Sequence, residues 1–401
     1  MAENKEKKVL NVPNLRFPEF EGEWEEHYLS DYLDFKNGLN PKPERFGKGI
    51  KFISVMDILN NAVITNDCIR ASVDVSEEEL LSFCVENGDI LFQRSSETLE
   101  DVGRANVYMD NKPAVFGGFV IRGKKKAEYD PLFFRYLLAS PFARKKIIPM
   151  GAGAQHFNIG QEGLNKVKLH FALLDEQKKI ARLLSLLDER IATQNKIIDK
   201  LQSLIKGISN RLLYADNSMS IRIEEMLIER SERTKKNNQY EILSSTVNGI
   251  FSQRDYFSKD IASDNNVGYK IIHLHDIVLS PQNLWMGNIN FNDKFDIGIV
   301  SPSYKVFSIA DGFDKKYVAA LLKTHHALYN YMLVSEQGAS IVRRNLNYEA
   351  FEQLVFKIPS LNKQQEIGHV ISLLKSQLEN ANLLIKTYNS QKQYLFRQMF
   401  I

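Results

Sequence analysis

Two segments of this chain, 187 residues apart, carry the same helix-forming pattern: LLDEQKKIARLLSLLDERI from Leu173 and SLNKQQEIGHVISLLKSQL from Ser360. A gapless alignment puts Gln177 on Gln364, Ile180 on Ile367, Ser185 on Ser372, and Leu186 and Leu187 on Leu373 and Leu374. Repetition of this kind marks a duplicated unit. Stepping alternately four and three residues from Ile180 reaches Leu184, Leu187, Ile191, Gln194, Ile198, Leu201, Ile205, Ile208 and Leu212, with only Gln194 polar. The same walk from Ile367 reaches Ile371, Leu374, Leu378, Ala381, Ile385, Tyr388, Lys392, Leu395 and Met399, with only Lys392 charged. These are seams of the coiled-coil kind. Each runs for about 33 residues, or about 50 Å at 1.5 Å per residue, longer than a helix needs to cover one small core. The expected partner of each helix is therefore the other. Gln194 and Lys392 interrupt the two seams at non-equivalent steps, an arrangement that restricts a helix pair to one register.

At 401 residues the chain exceeds a single compact core and suits two or three domains. Two cysteines, Cys68 and Cys84, make no disulfide framework and lack metal-site spacing, so a reducing compartment is expected. The opening MAENKEKKVLNVPNLRFPEF lacks the apolar stretch of a signal peptide, and no long uncharged apolar run follows. A soluble cytoplasmic protein with no membrane association is expected. The formal net charge is only +3, but the basic residues cluster: Lys124 to Lys126, Arg144 to Lys146, Arg230 with Arg233, Lys235 and Lys236, and Arg343 with Arg344. One such cluster is usually a solvated face; recurrence in both halves points to a polyanion.

The duplication extends upstream of the helices. Asp89 and Ile90 in GDILFQ align with Asp276 and Ile277 in HDIVLS. DPLFFRYLLAS from Asp130 resembles DKKYVAALLKT from Asp314 at a slightly shorter offset, and GAGAQHFNIG from Gly151 resembles QGASIVRRNLN from Gln337, with Asn158 on Asn345. Short β-rich runs such as KFISV, DILFQ and AVFGGFVI, or YKIIHL, DIVLS and SYKVFSI, lie between Gly, Asn and Pro turns, so each half reads as a small α+β domain. Between these runs the halves diverge. PKPERFGKGI and RSSETLEDVGR have no counterpart in RTKKNNQYEILSS or SPQNLWMGN. A repeated frame with unlike loops suits two recognition modules with different targets.

With the LLDEQKKI and LNKQQEI openings, the GAGAQHFNI and QGASIVRRNL segments ahead of them, the GDILFQR strand and the start VPNLRFPEFEGEWEE, the chain resembles the specificity subunits of Type I restriction-modification enzymes over essentially its full length. It departs modestly from their pattern. Phe171-Ala172 and Ser360-Leu361 stand where prolines often precede the Gln motif, and Pro359 is kept only in the second copy. The resemblance implies an α+β chain with two target recognition domains, residues 1–170 and 216–356, separated by helices at 171–215 and 357–401. These helices would pack as an antiparallel coiled coil with pseudo-two-fold symmetry. Their seam would hold Ile180, Leu184, Leu187, Ile191, Ile198, Leu201 and Ile205 on one side. Ile367, Ile371, Leu374, Leu378, Ile385 and Leu395 would form the other. The implied partners are double-stranded DNA, two methyltransferase subunits that carry S-adenosylmethionine, and in some assemblies restriction subunits. A heptad inserted near Leu204 would then change the spacer between half-sites and leave both half-sites unchanged.

Base reading draws on Arg, Lys, Asn and Gln at base edges, with backbone contacts holding the register. The candidates in the first half are Lys36, Asn37, Arg45, Lys48, Arg94, Ser95, Arg104, Gln155 and His156. Those in the second are Arg233, Lys235, Lys236, Arg254, Tyr256, Gln282, Asn283, Trp285, Arg343 and Arg344. Trp285 and His156 have ordinary structural readings as well, in core packing and a satisfied hydrogen bond. No Walker loop, Asn-Pro-Pro-type methyltransferase motif or nuclease carboxylate cluster is evident. GAGAQ lacks the strand and the downstream acid of a dinucleotide loop, and His273 and His275 alternate along a strand without cysteine partners. No catalytic site, cofactor or metal is expected in the chain itself. The competing readings are a coiled-coil protein adaptor without DNA specificity and a self-sufficient DNA-modifying enzyme.

Overall fold

The same four-stranded antiparallel sheet is built twice. In the computed structural model, which describes residues 10–212, 219–256, 265–337 and 344–401, the first half places Leu33–Asn37, Val120–Lys125, Ile90–Gln93 and Ala105–Val107 side by side in that order. The second half repeats the order with Leu227–Glu229, Lys305–Ile309, Ile277–Leu279 and Ile289–Phe291. The inner strands Ile90–Gln93 and Ile277–Leu279 are buried at every residue, which explains why they read as continuous apolar runs and not as alternation. A two-stranded ladder accompanies each sheet, Glu25–Tyr28 with Lys168–Phe171 and Met219–Arg222 with Val355–Ile358.

Matched polar anchors hold the two copies. Asp130 caps the helix Pro131–Ala139 by accepting from the Phe133 N–H at 2.8 Å, and Asp314 caps Lys315–Leu321 by accepting from the Tyr317 N–H at 2.8 Å. The long-helix glutamines join these caps. Gln177 accepts from the Asp130 N–H at 3.1 Å and donates to the Ala172 carbonyl at 2.9 Å; Gln364 accepts from the Asp314 N–H at 3.1 Å and donates to the Pro359 carbonyl at 2.9 Å. Both side chains are buried. The repeated glutamine is thus a clamp between the start of a long helix and the helix cap beneath it. Asp89 and Asp276 are matched too: Asp89 accepts from the Glu86 N–H at 3.0 Å, Asp276 from the His273 N–H at 2.8 Å, and burial raises both carboxyls above the usual range. Replacing Gln364 by Ala strands one buried N–H and one carbonyl, at about 1–3 kcal/mol for each. Denaturant titration of Gln364→Ala should show that loss; a variant as stable as wild type would refute the clamp.

The chain divides into two compact units, residues 1–195 with 384–401 and residues 196–383. The long helices, Leu174–Leu212 and Leu361–Gln398, each contribute to both. In the first unit, Ile180, Leu184 and Leu187 join a core with Phe133, Phe134 and Leu137, and the end of the C-terminal helix adds Leu395, with Met399 and Phe400 following it. In the second, Ile367 and Ile371 join Tyr317, Val318 and Leu321, and Ile208 of the central helix packs on them. The beginning of each helix therefore lies with the end of the other, as antiparallel packing requires. The seam residues are buried or half-buried throughout: Ile198 is buried, and Ile191, Leu201, Ile205, Leu374, Leu378 and Ile385 are half-buried. Neighbours off the seam are open, with Leu186 39% and Leu373 54% exposed. The first turns of each stripe also cover the sheet-bearing half that precedes them, so one stripe serves two surfaces. Lys392, the charged break in its seam, meets Asp188 at 2.5 Å, and Asp188 also accepts from the Tyr136 hydroxyl at 2.9 Å.

Candidate nucleic-acid interface

In the first unit, the buried strand Ile90–Gln93 emerges into Arg94 and Ser95, where the chain forms a short ladder, Ser95 opposite Asn158 and Ser96 opposite Phe157. The ladder fixes the backbone around Arg94: its N–H donates to the Phe119 carbonyl at 2.9 Å and its carbonyl accepts from the Ile159 N–H at 2.9 Å. The guanidinium reaches the Gly118 carbonyl at 3.2 Å. The Ser95 hydroxyl bonds the Asn158 side-chain oxygen. Gln155 and His156 are exposed in the returning loop. That loop needs glycine at Gly153, where φ is 146° and a Cβ would sit 1.9 Å from the His156 carbonyl oxygen. Arg94, Ser95, Gln155 and His156 thus come together.

Phe119 lies beside them, 68% exposed, and sequence reasoning missed it. AVFGGFVI reads as one strand, yet it is two, Ala114–Phe116 and Val120–Lys125, and Phe119 sits in the break between them. The Gly117-Gly118 pair is the signal that marks this turn.

The other first-half candidates are held elsewhere. Lys36 donates to the Ser82 carbonyl at 2.9 Å and lies over the Phe83 ring. Arg45 forms a two-point pair with Glu79 and donates to the Asp74 carbonyl at 2.8 Å. Its guanidinium pushes the Glu79 carboxyl down to about 2. Lys48 pairs with Asp74 at 3.0 Å and Arg104 with Asp101 at 2.6 Å. Asn37 is exposed at the end of its strand.

The second unit repeats the placement with different residues. Past the strand Ile277–Leu279, the Ser280 N–H donates to the Asn288 carbonyl at 2.9 Å, as the Gln93 N–H does to Arg104 at 2.7 Å. Gln282 follows, exposed, and its carbonyl accepts from the Arg344 N–H at 3.2 Å. Arg344 lies 4.8 Å over the half-buried Trp285 ring, and Asn283 stands between Gln282 and that ring in sequence. Arg344 opens the strand Arg344–Leu346, whose Asn345 is the counterpart of Asn158. Gln282, Asn283, Trp285 and Arg344 thus gather where Arg94, Ser95, Gln155 and His156 gather in the first unit. Arg233 is exposed and donates to the Gly268 carbonyl at 2.8 Å, with Lys235 and Lys236 exposed just beyond. Arg254 is exposed in the short helix Gln253–Tyr256, which Tyr256 ends. Arg343 lies outside the described residues.

His273 pairs with Glu232 at 2.9 Å and His275, at φ 75°, stacks on Phe291. GAGAQ follows the short 3-10 turn Ile148–Met150, not a strand. Among the described residues no helix is long and apolar enough to cross a membrane.

Residues 21–203 match the family described as the Type I restriction modification DNA specificity domain. Curated relatives include a chain assigned as the specificity subunit of type I restriction enzyme MjaX of Methanocaldococcus jannaschii, 27% identical over 210 residues, covering 51% of this chain and 49% of the relative. The EcoKI specificity subunit of Escherichia coli K12 is 24% identical over 188 residues, covering 46% and 39%. The matches span about half or less of these relatives. Among solved structures, the S subunit of a Type I restriction-modification system from M. genitalium covers 97% of this chain and 99% of its own at 14% identity, with a TM-score of 0.61. A chain from a structure of the type I system described for its complex assembly and conformational transition gives 0.52 at 11% identity, covering 94% and 97%. These findings place the chain in the family of Type I restriction-modification specificity subunits.

Proposed function

We propose that this chain is the sequence-specific DNA-binding subunit of a Type I system and reads a target in two separated parts, one with each half. The observation that carries the reading is the paired placement above: one position of a duplicated frame bears Arg94, Ser95, Gln155, His156 and Phe119 in one copy and Gln282, Asn283, Trp285 and Arg344 in the other. Arg and Gln suit guanine and adenine edges, and the aromatic residues suit sugar or base contact. Equivalent positions with unlike side chains fit two readers of unlike half-sites. In this reading the chain carries no catalytic role. It directs two methyltransferase subunits, and in some assemblies restriction subunits, to the site for adenine methylation or cleavage, and S-adenosylmethionine belongs to the methyltransferase.

The deciding experiment is co-expression with the cognate methyltransferase and genome-wide mapping of methylated adenines. A split motif with a gap of constant length is expected; a continuous motif contradicts the two-reader assignment. Affinity for the target should fall with salt at a log-log slope near about −9 if about ten phosphates are neutralised. A flat dependence would favour the adaptor reading.

A further inference from the structure

A cavity of about 680 Å³ opens in the first unit beside the helices Pro131–Ala139 and Pro141–Ile147 and the end of the C-terminal helix. Its wall includes Arg104, Arg135, Arg144 and Lys392. Three of these cations have acids: Arg104 meets Asp101 at 2.6 Å, and Arg135 and Lys392 meet Asp188 at 3.4 and 2.5 Å. Arg144 has none. Its Nη2 donates to the Glu100 and Val102 carbonyls at 2.8 and 2.6 Å, while its Nη1 is buried without a hydrogen-bond partner. Burial, with Arg104 nearby, pushes this guanidinium down to about 10. An orphaned buried donor on a cation is costly, and an oxyanion is the group that relieves it.

The duplication supplies an internal control. The alignment that puts Asp130 on Asp314 and Ser140 on Thr324 puts Arg135 on Ala319 and Arg144 on Leu328. The matched carbonyls of Arg104 and Asn288 pair those two positions, and the long-helix offset pairs Lys392 with Ile205. All four cations are therefore replaced by uncharged residues in the second copy, so the frame folds without them. The hollow at the corresponding place in the second unit, about 360 Å³, is lined by Lys206, Lys323 and Lys375 and has no arginine. The guanidinium cluster is particular to the first half.

We propose that this cavity binds a small organic phosphate, with Arg144 and Arg104 taking the phosphoryl oxygens and Phe396, Ile58 and Leu59 covering the apolar body. Two planar forks match a tetrahedral oxyanion better than a point charge does, and the volume falls in the range of small-ligand sites. The site is separate from the DNA-reading cluster and does not depend on that assignment.

Calorimetric titration of the full chain with inorganic phosphate, AMP and ATP tests it. Nucleotide should bind wild type in the micromolar range, and Arg144→Leu, which copies the second half, should bind roughly tenfold more weakly or not at all. Arg104→Asn, the matching change at the second fork, should also weaken binding and serves if Arg144→Leu does not fold. Absence of binding by every probe, or equal binding by the folded variants, would overturn the proposal. Displacement of the nucleotide by duplex DNA would also overturn it, by assigning the pocket to the nucleic-acid backbone.

Discussion

Glu176→Ala should lower stability by about 3–5 kcal/mol, because it removes one member of a buried ion pair and leaves the other charge uncompensated. The Glu176 carboxylate is fully buried and takes two hydrogen bonds from Arg16, at 2.8 and 2.7 Å. Arg16 also donates to the Gly22 and Glu21 carbonyls, at 2.6 and 3.2 Å, so one guanidinium organises the segment ahead of the first strand. The neighbouring Leu15 N–H donates to the Gln398 carbonyl at 2.9 Å, tying that segment to the end of the C-terminal helix. Denaturant titration together with limited proteolysis of residues 10–24 reads both consequences. A loss below about 1 kcal/mol, the value of an exposed pair, with an unchanged cleavage pattern, would show that the pair is not what holds the segment. The position equivalent to Glu176 in the second copy is Lys363, which pairs with Glu366, so this strap belongs to the first half alone.

Exchanging residues 216–356 for those of a relative with a different target should replace one half of the methylation motif and leave the other half and the gap intact. The expectation follows from the second sheet, its loops and its cluster at Gln282, Asn283, Trp285 and Arg344 all lying within that span. Methylome mapping of the chimaera reads the result directly. A change in both halves would mean that the readers are coupled, and the two-module assignment would fail. A point variant gives a finer version: Arg344→Ala removes the cation over Trp285 and should weaken discrimination in one half-site, by about 1–3 kcal/mol if it makes a bidentate base contact.

The periodic parts of the fold were legible in the sequence because they follow local rules. The apolar steps from Ile180 and Ile367 identify the long helices, and the aligned Asp130 and Asp314 mark helix starts in both halves. What the spacing does not show is partner identity over long separations. Gln177 reads as a repeat landmark, yet its role is set by the Asp130 N–H and the Ala172 carbonyl. Lys392 reads as a flaw in its seam until Asp188 is brought beside it. The recognition residues show the same limit. Arg45 and Lys48 read as free cations, but Glu79 and Asp74 hold them. Phe119 was hidden inside an apparent strand because its exposure depends on the turn at Gly117 and Gly118.

The first unit draws Leu395, Met399 and Phe400 into a core otherwise made by residues before Asn195. During synthesis that core is therefore left open while roughly 200 further residues emerge, about 10–40 s at ordinary elongation rates. Trp24, Phe133 and Leu184 must wait on the ribosome for the last turn of the nascent chain, an interval in which a chaperone or a second polypeptide has access to a surface that the finished protein conceals.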